Sequence, residues 1–270
     1  MPDLMSRILY FHIGIARVVF KTRWGYVKIT VCRVGAGGAM DTGNIAILGN
    51  ACCQLGFYLF SNTAVHFEDD FDTFNHVFHN GFTMDPRAWA AEKDVRGVVI
   101  GGSLKSPLND DPWIREEEVF VRGLVEMGMP ILGICFGHEL LASALGGQIE
   151  KQRRMRLKLD TIRIVREDPL FAGYQGEFLC PVSHSVNVTA MPPDFVLLAR
   201  SEECEIMVMK HMGLPVYGIQ FHPEMTPDIK HHDPTWNPMP DEDIARNQGA
   251  QVIRNFSAIV AAHYEKRIGV

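Results

Sequence analysis

From Asn44 onward, short apolar runs alternate with longer stretches of mixed character. Asn44 to Gly49 (NIAILG) predicts a short buried strand closed by glycine, and Val95 to Ile100 (VRGVVI) a second, closed by Gly101-Gly102-Ser103. Pro112 to Met127 predicts a helix. Proline suits its first turn, and Ile114, Val121, Leu124 and Val125 mark one apolar face. Pro130 to Ile134 (PILGI) predicts a third strand, and a helix follows from Gly137 to about Leu145, ended by Gly146-Gly147. Residues 71–80 (FDTFNHVFHN) predict a helix or loop between the first two strands. Fully apolar strands alternating with helices imply a mainly parallel sheet covered on both faces.

The character changes after residue 150. Leu157 to Val165 and Phe195 to Ala199 predict strands of a more antiparallel region. Val216 to Phe221 (VYGIQF) is another apolar run, ended by His222-Pro223. A final helix is predicted from Asp243 to about His263, burying Ala245, Val252, Ile253, Phe256, Ile259 and Val260. Residues 225–241, rich in Pro, His and Asp, predict a surface loop. The first 43 residues stand apart. Their Arg-rich, acid-poor composition suits a transit peptide, an upstream extension with the functional chain starting at Met40, or a strand hairpin. The expected division is an N-terminal extension, 1–43, and one domain, 44–265.

Composition narrows the function classes. A net charge of -6 argues against a nucleic-acid binder, which needs a basic face. No apolar run approaches the roughly 20 residues of a membrane-spanning helix. The six cysteines lack C-x-x-C spacing and read as reduced thiols, which suits a cytoplasmic protein. His231-His232-Asp233 reads as a solvated loop, because no further ligands stand at metal-binding spacing. No metal and no cofactor is expected.

The sharpest local feature is Gly133-Ile134-Cys135-Phe136-Gly137-His138-Glu139, where a predicted strand hands over to a predicted helix. This is a G-x-nucleophile-x-G arrangement with Cys in place of Ser. A tight turn needs glycines where side chains would strike neighbouring backbone. The helix that follows aims its N-terminal N–H groups at the sulfur and favours the thiolate. A buried structural cysteine is the plainer reading of such a string alone; the strand before it and the helix after it favour a nucleophile. An oxyanion formed there would take the Phe136 N–H and a second donor from Gly101-Gly102-Ser103, at a neighbouring strand end.

Such a cysteine needs a base. Gln220-Phe221-His222-Pro223-Glu224 supplies a candidate, with His222 at a strand end and Glu224 placed to turn back on the imidazole. His138, on the nucleophile helix, reads as packed or facing solvent.

Together G-I-C-F-G-H-E, F-H-P-E and the upstream G-G-S resemble class I glutamine amidotransferases, most closely over residues 97–225, and among these the stand-alone, GMP-synthase-like domains. The resemblance implies a flavodoxin-like three-layer sandwich with a mainly parallel central sheet. It implies attack by Cys135 on the side-chain amide of glutamine, with His222 and Glu224 as partners, loss of ammonia and hydrolysis of a glutamyl thioester. It suggests Gly102 and Phe136 as oxyanion donors, and Gly101, Gly102, Glu139, Ser183, His184 and Ser185 as substrate-binding residues. The chain departs from the family at Glu139, where Gln is usual. Ionised, Glu139 only accepts hydrogen bonds and would favour an ammonium over a carboxylate. The segment Ala51 to Phe67 also lacks the family's look. No nucleotide loop is present, so an ammonia-accepting synthetase would be a separate partner. A γ-glutamyl peptidase or hydrolase with the same triad, and a non-catalytic regulatory member of the fold, are the alternatives.

Overall fold

The computed structural model describes residues 43–50, 53–67, 70–76, 83–227 and 239–268. In chain order the elements are β1 (Asn44–Leu48), α1 (Cys53–Ala64), β2 (Asp72–His76), α2 (Pro86–Glu92), β3 (Val95–Ile100), α3 (Pro112–Glu126), β4 (Ile131–Ile134), α4 (Phe136–Ala144), β5 (Gln148–Ile164), β6 (Glu177–Ala190), β7 (Phe195–Arg200), β8 (Val208–His211), β9 (Val216–Ile219), α5 (Asp241–Ile244) and α6 (Ala250–Ile268). The strands form one sheet in the order β2-β1-β3-β4-β9-β8-β7-β5-β6. The first five run parallel. The other four extend the sheet antiparallel, through the long β5–β6 hairpin.

Alternation along the parallel strands sorts their side chains onto two faces. Ile45, Ile47, Val99 and Ile134 pack with Phe67, Val252, Phe256 and Val260 on the side of α6. Ala46, Leu48, Val98, Ile100 and Ile131 pack with Trp89, Ile114, Leu124 and Leu140 from α2, α3 and α4 on the other. Burying each such side chain contributes roughly 1.5–3 kcal/mol. This is the expected three-layer sandwich. All five parallel strands point their C-terminal ends at one edge, where the chemistry of such sheets gathers.

Several expectations need correction. Residues 72–76 form the edge strand β2, neither helix nor loop, because Asp72 to His76 pair in register with Asn44 to Leu48. The helix α2 went unread, although Asp85 caps it by accepting from the Ala88 N–H at 2.8 Å and Pro86 opens it. The final helix begins at Ala250, not Asp243. Gly249 sits against Cys180 and Pro223 so closely that a Cβ would fall 2.6 Å from the Cys180 sulfur, and a separate short α5 precedes it. Ala245 is therefore exposed, and Ile244 takes the buried position. Residues 1–42 and the His231-His232-Asp233 cluster lie outside the described residues.

Candidate active site

The β4–α4 turn is built by backbone crowding. A Cβ on Gly133 would lie 2.4 Å from the Gly137 carbonyl oxygen, and one on Gly137 would lie 2.3 Å from that of Ile100. No other residue fits either place. Between them Cys135 takes φ 51°, a left-handed conformation that only a few positions in a fold sustain. The turn is held to the next strand by the Cys135 N–H, which donates to Ile219 O at 2.8 Å. The first bond of α4 runs from the Glu139 N–H to Cys135 O at 3.1 Å. The N–H groups of Phe136, Gly137 and His138 therefore have no acceptor inside the helix and form its positive end, next to Cys135 at the N-cap. The Phe136 ring, fully buried, packs on Trp113 with centroids 5.7 Å apart.

The neighbouring strand β9 ends at Ile219 and delivers the second half of the site. The His222 N–H donates to Pro181 O at 2.8 Å, which fixes the histidine beside β6. His222 Nδ1 and Glu224 Oε1 are 2.8 Å apart, with the two side chains 6% and 1% exposed. The ring and the Cys135 thiol both line the cavity and act on each other electrostatically. The Cys135 Sγ also points at Ser183 O, at 3.6 Å.

Burial sets the protonation of this cluster. It pushes the Cys135 thiol up, opposed by the charge of His222. Burial pulls His222 down, but the Glu224 carboxylate and Cys135 outweigh it and hold the ring well above its ordinary value. Burial lowers His138 to about 3, so this ring, fully enclosed under Gly218, is neutral and belongs to the packing. His184, lowered by burial to about 4, is likewise neutral, with Nδ1 at 3.0 Å from Val186 O.

Glu139 is buried beside the cysteine. Burial raises it to about 8, against the opposing hydrogen bond from Gln220, the charge of His222 and a hydrogen bond from Ser106. The group is a carboxylic acid at neutral pH, not a carboxylate, and offers a donor as well as an acceptor. Gln220 Nε2 donates to Glu139 Oε1 at 3.2 Å and stands 3.9 Å from the Cys135 sulfur. The sequence pattern assigned Gln220 no role of its own. Its signal was there: a polar residue, fully buried, at the end of an apolar strand run.

A cavity of about 650 Å³ opens over the cysteine. Its lining includes Gly102, Cys135, Phe136, Glu139, Ser183, His184, Ser185 and His222, together with Ser106, Leu104, Lys151 and Met155. Gly102 backs the imidazole: a Cβ there would lie 3.0 Å from His222 Cε1. Gly101 lies behind, its N–H bonded to Leu48 O at 3.0 Å, and does not line the cavity. Glu224 is behind His222. Among the described residues no cluster of three or more His, Cys, Asp or Glu is placed to hold a metal ion, and no helix is long and apolar enough to cross a membrane.

Comparison with known proteins agrees with this architecture. The family model described as glutamine amidotransferase class-I matches residues 69–238. The chain is 37% identical over 166 residues to the glutamine-hydrolyzing GMP synthase subunit of Pyrococcus furiosus, spanning 61% of this chain and 75% of that protein. It is 44% identical over 134 residues to the Thermococcus kodakarensis protein of the same name, 50% of this chain and 62% of that one. In fold it resembles the crystal structure of a glutamine amidotransferase from Thermotoga maritima, with a TM-score of 0.63 at 13% identity over 82% of this chain and 99% of that chain. With the family model matched over more than half its length, the chain belongs to the class I glutamine amidotransferases.

Proposed function

We propose that this enzyme hydrolyses the side-chain amide of glutamine with Cys135 as nucleophile, His222 as acid and base, and Glu224 as the group that orients and charges the ring. The observation that carries the reading is the chain of contacts itself. A buried cysteine at φ 51° shares one cavity and a strong electrostatic coupling with a histidine whose Nδ1 lies 2.8 Å from a buried carboxylate.

The Cys135 proton passes to His222 Nε2, the nitrogen not taken by Glu224, and the sulfur attacks the amide carbon. The carbonyl electrons move to oxygen, where the Phe136 N–H, with that of Gly102, would stabilise the charge. The C–N bond breaks as His222 returns the proton to nitrogen, and ammonia leaves. Water, deprotonated by the same ring, then cleaves the thioester to glutamate and regenerates the thiol. Glu139, neutral and bonded to Gln220, Ser183, His184 and Ser185 line the space open to the rest of the substrate. The named relatives are subunits of a synthase, and the ammonia released here would pass to a separate ammonia-accepting partner.

The test is ammonia release from glutamine by the full chain, together with labelling of Cys135 by a glutamine-like electrophile. Loss of both in Cys135→Ser is expected. Turnover unaffected by that change refutes the nucleophile. A higher kcat/KM for γ-glutamyl peptides than for glutamine would move the substrate assignment and leave the triad.

A further inference from the structure

The turn that carries His222 and Glu224 belongs to no strand and no helix, so its backbone needs partners from elsewhere. Pro181 O takes the His222 N–H and the Met225 N–H reaches His222 O at 3.4 Å; the remaining carbonyl partners are two asparagine amides from distant parts of the chain. Asn247 Nδ2, in the link between α5 and α6, donates to Pro223 O at 3.0 Å and Met225 O at 2.9 Å, and lies 3.5 Å from His222 O. Asn62 Nδ2, in α1, donates to Glu224 O at 3.0 Å. All four carbonyls from 222 to 225 thus face an amide from one side or the other.

The Asn247 side chain has one orientation available. Its Oδ1 accepts from the Gly249 N–H at 2.8 Å and from the Cys180 thiol at 3.3 Å, which turns the NH₂ toward the catalytic turn. The platform beneath it is pinned as well. The Gln248 N–H donates to Leu179 O at 2.9 Å, and the Leu179 N–H returns a bond to Gln248 Oε1 at 2.8 Å, tying the link to β6. The Ile244 carbonyl takes the Asn247 N–H at 2.9 Å.

We propose that Asn247 is a positioning residue of this enzyme: through the turn carbonyls it sets the His222 ring against Cys135 and Glu224, with Asn62 as its counterpart from the opposite side. The inference rests on the reading of Cys135, His222 and Glu224 as the reacting groups. Substrate would never touch Asn247. Its effect reaches the reaction through the placement of the ring, and displacements of about an ångström at a reacting group cost on the order of a hundredfold in rate.

The test has a matched control within the protein. Asn255, in α6, caps Leu170 O and Ala172 O, each at 2.9 Å, as Asn247 caps the catalytic turn, but lines no part of the cavity. In the full chain, Asn247→Asp keeps the size and the acceptor and replaces the donor with an oxygen facing carbonyl oxygens. Asn247→Ser removes the amide without adding charge. Both are expected to lower kcat for glutamine about ten- to a hundredfold with KM within about twofold. His222 faces Glu224, Cys135, Glu139 and His184. In Asn247→Ser, which adds no charge, a loosened turn weakens the hold of Glu224, so the limb of the kcat/KM profile governed by His222 moves to lower pH. Asn255→Asp is expected to lower the melting temperature while leaving kcat and that limb in place. A folded Asn247 variant with unchanged kcat and an unmoved limb overturns the proposal, as does an equal loss of kcat in Asn255→Asp. Cys135→Ser in the same assay separates the two levels. Turnover independent of Cys135 removes the triad reading and this inference with it; Cys135-dependent turnover indifferent to Asn247 removes the inference alone.

Discussion

The two turns that meet over the cavity are neighbours in the sheet, yet they are held by opposite means. The cysteine turn after β4 is fixed chiefly by backbone against backbone: Gly133 against Gly137 O and Gly137 against Ile100 O leave no room for any side chain. The histidine turn after β9 is fixed by hydrogen bonds, the His222 N–H to Pro181 O and the side chains of Asn247 and Asn62 to its carbonyls. Steric fit dominates the first, with the Cys135 N–H bond to Ile219 O beside it, and hydrogen bonds alone hold the second. A steric fit yields to almost nothing short of refolding, whereas a hydrogen-bonded fit loosens by degrees. The sulfur is thereby set rigidly, and the ring is the adjustable partner.

The largest expected effect tests the first turn's cargo. Cys135→Ser should lower ammonia release from glutamine by about three orders of magnitude or more, with the melting temperature nearly unchanged. A small rate effect would show that the rigid turn holds nothing reactive. Next, Gly137→Ala drives a methyl to 2.3 Å from the Ile100 carbonyl oxygen. It should destabilise the fold by about 3 kcal/mol in urea denaturation. A stable variant would break the contrast, because the turn would then have given way.

Glu139 and Gln220 join the two sides, and this bridge carries a pH signature. Burial raises Glu139 from 4.5 to about 8, so the folded state keeps a proton that the unfolded chain has lost. Its contribution to stability therefore falls as pH rises from about 4.5 to about 8. Glu139→Gln should remove that slope and gain on the order of 2 kcal/mol near pH 8, seen in denaturation at pH 5 and pH 8. An unchanged slope would mean that the group ionises in place. The smallest effect belongs to Gly102→Ala, whose methyl would meet His222 Cε1 at 3.0 Å, a side-chain atom able to shift. Turnover should fall about tenfold, roughly 1.4 kcal/mol in the barrier, with stability little changed. A collapse of stability would place Gly102 with the glycines of the rigid turn.

The same contrast explains what the sequence disclosed. Gly133, Cys135 and Gly137 fall within five residues in the G-x-C-x-G pattern, so the turn is readable locally even though the clash that demands Gly137 comes from Ile100. His222 and Glu224 are two residues apart and readable for the same reason. The residues that hold them are not. Asn62 lies 162 positions from Glu224 and Asn247 lies 24 from Pro223, joined only by side-chain to carbonyl bonds that leave no periodic trace. The strand β2 escaped notice because its buried positions, Thr73 and His76, are polar; pairing with β1 rather than apolar alternation makes it a strand. The break between α5 and α6 was visible as Gly249, but its cause, contact with Cys180 and Pro223, exists only after folding. The protonation of Glu139 belongs to the same class, since burial alone turns an acceptor into a donor.

The contact of Gly137 with the Ile100 carbonyl also bears on how such a site drifts through descent. A position whose only tolerated residue is glycine has no neutral alternatives, so related chains are expected to be frozen there. The carbonyls of the histidine turn ask only for donors, which serine, glutamine or a backbone N–H from a rebuilt link can supply. Lineages that change the chain between α5 and α6 can therefore retune the ring while inheriting the sulfur unaltered.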